Sequence, residues 1–212
     1  MFTSTTTFAP GIKIYHNALP KEWNLVNRYE NALTGETSEY LKWQGAKVGY
    51  HESNSSHRNC QDFKYKSHEI IETSEDANEL KTMHALVMRS LRECLDDYTS
   101  EYGIDIQYIE ALNVVKYGPG EYFKVHSDDG EPYRCTVSAV GYVNDDYEGG
   151  ELFYQYFNST YTPVAGDFVL FPSSYVYAHA SLPVKSGIKY SLVIMTDRNE
   201  FAHVKDSPIY HK

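Results

Sequence analysis

Apolar positions change their spacing near residue 104, and that change divides the chain. Before it, apolar residues recur every three or four positions in two segments, Lys21 to Leu33 and Glu75 to Tyr102. In the longer one, Leu80, Met83, Val87, Leu91, Cys94 or Leu95, Tyr98 and Tyr102 fall on one helix face, and Gly103 stands where a C-cap glycine belongs. Beyond Gly103 the pattern becomes strand-like. Short β-branched and aromatic runs cover Gln107 to Lys116, Tyr122 to His126, Cys135 to Val143, Leu152 to Phe157, Asp167 to Phe171 and Ile188 to Met195. Gly, Pro, Asn and Asp turn signals separate them. Such spacing predicts a sandwich or jelly-roll barrel, α+β but mainly β, with the N-terminal helices packed on one sheet. The polar stretch 49–66, without a clear period, reads as a mobile loop.

Composition narrows the partners. The chain has 212 residues, and 19 Lys and Arg against 29 Asp and Glu leave a net charge of −10. That surface repels phosphate backbones, which argues against nucleic acid as a partner. Three scattered cysteines, Cys60, Cys94 and Cys135, suit neither a disulfide framework nor a paired-cysteine metal site and point to a reducing compartment. The N-terminus shows no basic segment followed by an apolar core, and no apolar run is long enough to span a bilayer. The expectation is a cytoplasmic protein without a membrane partner.

One constellation carries chemistry. On a strand, residues i and i+2 share a face, so His126 and Asp128 in YFKVHSDDG can converge. Taken alone, such a pair is ordinarily a solvated or hydrogen-bonded contact. His179 follows the apolar run FVLFP by a short aromatic loop and can supply a third ligand. Two imidazoles and one carboxylate form the facial donor set of mononuclear non-haem iron, with open positions left for other ligands. Ten residues further on, Lys189 stands among apolar neighbours in SGIKYSLVIM, and a buried cation needs an anionic partner.

These residues carry a family resemblance. NVVKYGPGEYFKVHSD, SAVGYVN with GGELFY, PVAGDFVLFP, and a final His followed by PVKSGIKYSLV occur in the order and spacing of the 2-oxoglutarate and Fe(II)-dependent oxygenases. The chain most resembles their prolyl 4-hydroxylase-like branch. The resemblance implies a double-stranded β-helix, the cupin-like jelly roll. It also implies a single oxygenase domain over 1–212, with 1–103 as helical support and loop region and 104–200 as the core carrying the site. By the same resemblance His126, Asp128 and His179 are catalytic iron ligands. Lys189 then pairs with the distal carboxylate of 2-oxoglutarate, with Tyr142 and Tyr117 as further cosubstrate contacts. The implied cofactors are Fe(II), 2-oxoglutarate and O2, with ascorbate (vitamin C) as a candidate reductant.

The implied substrate is a protein or peptide, with proline held by the 49–66 segment and the Tyr-rich stretch 153–163. Other readings stay open. The same oxygenase chemistry could act on a free amino acid, another peptidyl residue or a nucleobase. A cupin-like sensor could hold a metal and a small acid without turnover. A hydrolytic Zn(II) site is a further alternative, but it leaves Lys189 unexplained.

Overall fold

The computed structural model describes residues 2–48, 56–130 and 134–198. Its two α-helices are α1 (Leu25–Ala32) and α2 (Glu75–Tyr102). Helix α2 begins where Ser74 Oγ accepts a hydrogen bond from the Ala77 N–H at 3.2 Å, and Glu75 and Asp76 complement the positive end of the dipole. It ends at Gly103 in the left-handed region, φ 62°. The expected stripe is buried from Leu80 to Tyr98, while Tyr102, in the last turn, is partly exposed. The first predicted helix is shorter than 21–33. Lys21–Trp23 forms a 3-10 turn, and Asn24, at φ 50°, separates it from α1.

Five strands precede α2: β1 (Ser4–Ala9), β2 (Ile12–His16), β3 (Gln44–Gly45), β4 (Arg58–Asn59) and β5 (Gln61–Tyr65). After it come β6 (Tyr108–Ile109), β7 (Leu112–Tyr117), β8 (Tyr122–His126), β9 (Val137–Tyr142), β10 (Glu148–Gly149) and β11 (Leu152–Tyr154). The chain continues with β12 (Ser159–Tyr161), β13 (Phe168–Pro172), β14 (His179–Ser181), β15 (Val184–Ser186) and β16 (Lys189–Asp197). A large antiparallel sheet runs β1-β2-β13-β9-β16-β7-β5-β3, with β6 attached to β16, and a smaller sheet runs β12-β11-β14-β8-β4. The remaining pair is β10 with β15. This is the expected jelly roll, with the helices on one sheet.

Strand alternation sorts the core into two layers. Val114, Ala139, Phe168, Leu170, Leu192 and Ile194 pack from one face of the large sheet against the helices, through residues such as Tyr29, Leu80 and Leu91. The opposite face presents Ile14, Val140, Tyr142, Val169 and Phe171 to Leu152, Tyr154 and Tyr161 of the smaller sheet. The first layer supports the site without lining it. Truncating a fully buried leucine there, such as Leu91→Ala, costs about 2–5 kcal/mol.

Two sequence expectations change. Within the stretch read as a mobile loop, 58–59 and 61–65 are strands: β4 pairs with β8, and β5 pairs with β7. The run is short, and its polar Asp62 and Lys64 alternate with Phe63 and Tyr65, so the period was masked by the polar text around it. Residues 49–55 lie outside the described residues. The Tyr-rich stretch is also not one exposed aromatic surface. Leu152–Tyr154 turns at Asn158, φ 45°, into β12, which buries Tyr154 and Tyr161 and leaves Tyr156 62% exposed.

Candidate metal centre and its cavity

His126 closes β8 and His179 opens β14, and the antiparallel register sets them opposite each other with ring centroids 4.5 Å apart. Asp128 follows two residues after β8. One ligand atom from each of the three lies within 4.8 Å of the others. His126 Nε2 is 3.5 Å from Asp128 Oδ1, and His179 Nε2 is 3.8 Å from Asp128 Oδ2. Each imidazole turns its Nδ1 to a backbone carbonyl two residues earlier, His126 to Lys124 at 2.8 Å and His179 to Tyr177 at 3.1 Å. A carbonyl only accepts, so Nδ1 carries the proton and the Nε2 lone pair faces the cluster.

The electrostatics suit a cation. Burial lowers the His179 pKa to about 4, against the raising effect of Asp128, which keeps the imidazole neutral and able to donate its lone pair. For Asp128 burial works toward the neutral acid. His179, His126 and a hydrogen bond from Ser138 outweigh it and hold the carboxyl below its ordinary range. The donor set is two imidazole nitrogens and one carboxylate.

A cavity of about 80 Å³ opens beside the three and is also lined by Tyr117, Tyr142 and Lys189. Lys189 sits opposite Tyr117 across β16 and β7, and the next inward residue, Ser191, sits opposite Tyr142 across β16 and β9. Lys189 is 1% exposed, and its ammonium donates to Gly150 O at 2.6 Å and Ser181 Oγ at 2.8 Å. It lies 5.1 Å from the Tyr117 ring centroid and 5.4 Å from that of Tyr142. Burial pulls its pKa down to about 7, offset only in part by the more distant Glu151 and Cys60. Tyr142 Oη is buried without a hydrogen-bond partner. A desolvated cation beside an unsatisfied hydroxyl fits a carboxylate ligand.

The structure thus brings His126, Asp128, His179, Lys189, Tyr117 and Tyr142 to one cavity. It adds three residues that the sequence reading missed. Ser181 shares a strand face with His179 by the i, i+2 rule, a signal that was available. Ser138 reaches Asp128 from β9 and is held by Ser173 Oγ at 2.8 Å, and nothing local marks it. Arg58 lines the cavity from β4, inside the stretch read as a loop.

Residues 112–196 match the model of the 2OG-Fe(II) oxygenase superfamily. No curated protein matches the chain. Among solved structures, the chain is similar to a prolyl hydroxylase from Trichoplax adhaerens in complex with a hypoxia inducible factor oxygen degradation domain peptide fragment. The identity is 16% and the TM-score 0.66, over 88% of this chain and 83% of that one. A Pseudomonas putida prolyl-4-hydroxylase gives 19% identity and a TM-score of 0.61 over 89% and 93%. The viral collagen prolyl hydroxylase of Paramecium Bursaria Chlorella virus-1, in its 2OG complex, gives 18% and 0.60 over 88% and 95%. At these identities the structures establish a shared fold. No helix of the described residues is long and apolar enough to cross a membrane. Residues 112–196, which carry the His-Asp-His cluster, thus resemble the 2OG-Fe(II) oxygenase superfamily, and the chain shares its fold with prolyl hydroxylases.

Proposed function

We propose that the chain hydroxylates a peptidyl residue, with proline as the target, using O2 and 2-oxoglutarate and releasing succinate and CO2. The observation that carries the reading is one cavity with a three-donor cluster at one side and, at the other, a buried ammonium whose hydrogen bonds go to a carbonyl and a hydroxyl. In this reading 1–212 acts as one domain, with the helices as support and the jelly roll as the reacting part.

His126, Asp128 and His179 hold Fe(II), with tautomers set by the Lys124 and Tyr177 carbonyls. Lys189 receives the distal carboxylate of 2-oxoglutarate, Tyr142 Oη gains the partner it lacks, and Tyr117 closes the side of the pocket. When bound, Fe(II) with 2-oxoglutarate supplies dioxygen activation and oxidative decarboxylation. The protein's part is to fix the diacid and keep bulk water out, which the apolar wall of Val140, Leu152, Val193 and Met195 does.

A peptide is favoured over a small free substrate by a wider, largely apolar groove of about 600 Å³ beside the cavity. Phe123 and Ser181 line both. Exposed Tyr156 and Tyr175, with ring centroids 6.5 Å apart, offer aromatic faces suited to an extended proline-containing strand. Intact-mass measurement of proline-containing and proline-free peptides, after incubation with Fe(II) and 2-oxoglutarate, tests the proposal. The expected result is a gain of one oxygen atom on proline, with one succinate formed per oxygen; ascorbate is tested by omission. Faster modification of an alkylated oligonucleotide or a free amino acid would overturn the substrate, and absence of succinate would favour a sensor.

A further inference from the structure

The segment 58–65 joins the two sheets: β4 adds to the edge of the smaller one, and β5 lies in the larger one. Arg58 is at the crossing, 8% exposed. It is tied by Nη1 to the Lys47 carbonyl at 2.8 Å and by Nη2 to Asp62 Oδ2 at 3.2 Å. Its register partner on β8 is Phe123, and the guanidinium carbon lies 4.9 Å from the Phe123 ring centroid. Phe123 in turn lies flat against His126, with centroids 3.6 Å apart and planes 13° from parallel. That parallel contact depends on the irregular register between β14 and β8, where His179 faces His126 but Ser181 faces Phe123.

We infer that Arg58, acting through Phe123, is a positioning residue for the His126 imidazole. The inference rests on the reading of His126 as a metal ligand. An imidazole turns easily about its last side-chain torsion, which is broad rather than three-fold. The Lys124 carbonyl fixes which nitrogen carries the proton, but a single hydrogen bond leaves the ring free to tilt about it. The Phe123 face removes that tilt, and Arg58 keeps the phenyl ring from swinging into the cavity it lines. The direction of the His126 Nε2 lone pair is therefore set by a column of three residues that starts outside the jelly-roll core sequence.

The test uses Co(II), whose affinity and visible d–d bands report the ligand field without turnover. Phe123→Leu removes the flat face, and Arg58→Met removes the cation while keeping length. Each should weaken Co(II) binding about 3–10-fold and change the band pattern, the range expected for aromatic and cation–π contacts. Phe123→Tyr retains the ring and should restore both. The double variant should lose less than the product of the two single losses, because the residues act in series. Arg28→Met, which breaks the α1–α2 ion pair with Glu79, controls for a general loss of stability and should leave the bands unchanged.

If Arg58→Met does not fold, Arg58→Lys keeps the charge but not the planar stack and serves the same comparison. Native affinity and native bands in both the Phe123→Leu and the Arg58 variants would overturn the inference. The parent reading fails differently, if Asp128→Ala binds Co(II) as well as the native chain does.

Discussion

Ser181 Oγ accepts a hydrogen bond from Lys189 Nζ at 2.8 Å, and Ser181 is two residues beyond His179 on the same strand. The hydroxyl that steadies the ammonium and the imidazole that joins the His-Asp-His cluster are therefore parts of one strand, β14.

That link makes Lys189 testable apart from the metal. Pairing with a carboxylate about 4 Å away at an effective dielectric near 20 is worth on the order of 4 kcal/mol. Lys189→Met should raise the 2-oxoglutarate concentration for half-maximal succinate formation by up to about 1000-fold. Fe(II) affinity should hold. Lys189→Arg should be intermediate, since the longer fork must displace the Tyr142 ring beside it. An unchanged concentration dependence in Lys189→Met would remove the anchor.

Tyr142→Phe separates core packing from ligand contact. Its hydroxyl is buried without a partner, so its loss should leave the melting temperature of the ligand-free protein unchanged or raise it. A hydrogen bond to a charged group is worth about 1.5–3 kcal/mol, so 2-oxoglutarate binding should weaken about 10–150-fold. A destabilised protein with normal binding would make Tyr142 a packing residue.

The Lys189 pKa gives a pH signature with a definite sign. Its folded value is depressed to about 7, below the ordinary 10.5, by burial above all. Between those values the unfolded chain binds the proton and the folded chain does not, so the ligand-free protein gains stability as pH rises across that window. The slope reaches at most about 1.4 kcal/mol per pH unit. Thermal melts from pH 6 to 10 should show it, and Lys189→Met or saturating 2-oxoglutarate should flatten it. An identical slope in Lys189→Met would refute the assignment.

For the cluster itself, anaerobic Fe(II) with 2-oxoglutarate should give a weak visible charge-transfer band that Asp128→Ala abolishes. A retained band together with full turnover in Asp128→Ala would show that the carboxylate is not a ligand.

Gly150 gives a backbone test of the same pocket. It adopts φ 66°, and an added Cβ would lie 3.0 Å from Lys189 Cδ. Gly150→Ala should strain the turn and push the ammonium off the carbonyl that holds it, raising the 2-oxoglutarate requirement while leaving Co(II) bands native. Native 2-oxoglutarate dependence would show that the pocket absorbs the methyl group.

Much of this was legible because the chemistry lies on regular strands. His126 and Asp128 stand two apart, and Lys189 stands out as a cation in apolar text. The 28 residues of α2 end at a glycine that was legible in the sequence, whereas the Ser74 cap at its start was not singled out. The contributions of Arg58 and Ser138 were not legible, because they depend on strand pairings between distant segments. Arg58 meets Phe123 across 65 positions, and no local period encodes that. In the aromatic stretch 153–163 strand alternation sorts the rings, with Tyr154 and Tyr161 inside and Tyr156 exposed.

The sheet-joining segment 58–65 has a kinetic consequence. Its pairings to β7 in one sheet and β8 in the other close loops of roughly fifty to sixty-five residues, with α2 in between, so closure entropy favours their forming late. A late-forming segment is also among the first to open. Amide deuterium exchange at Cys60 and Phe63 should then be faster than in β9 or β16 at the sheet centre, and that transient opening would set how often the buried end of the cavity is wetted.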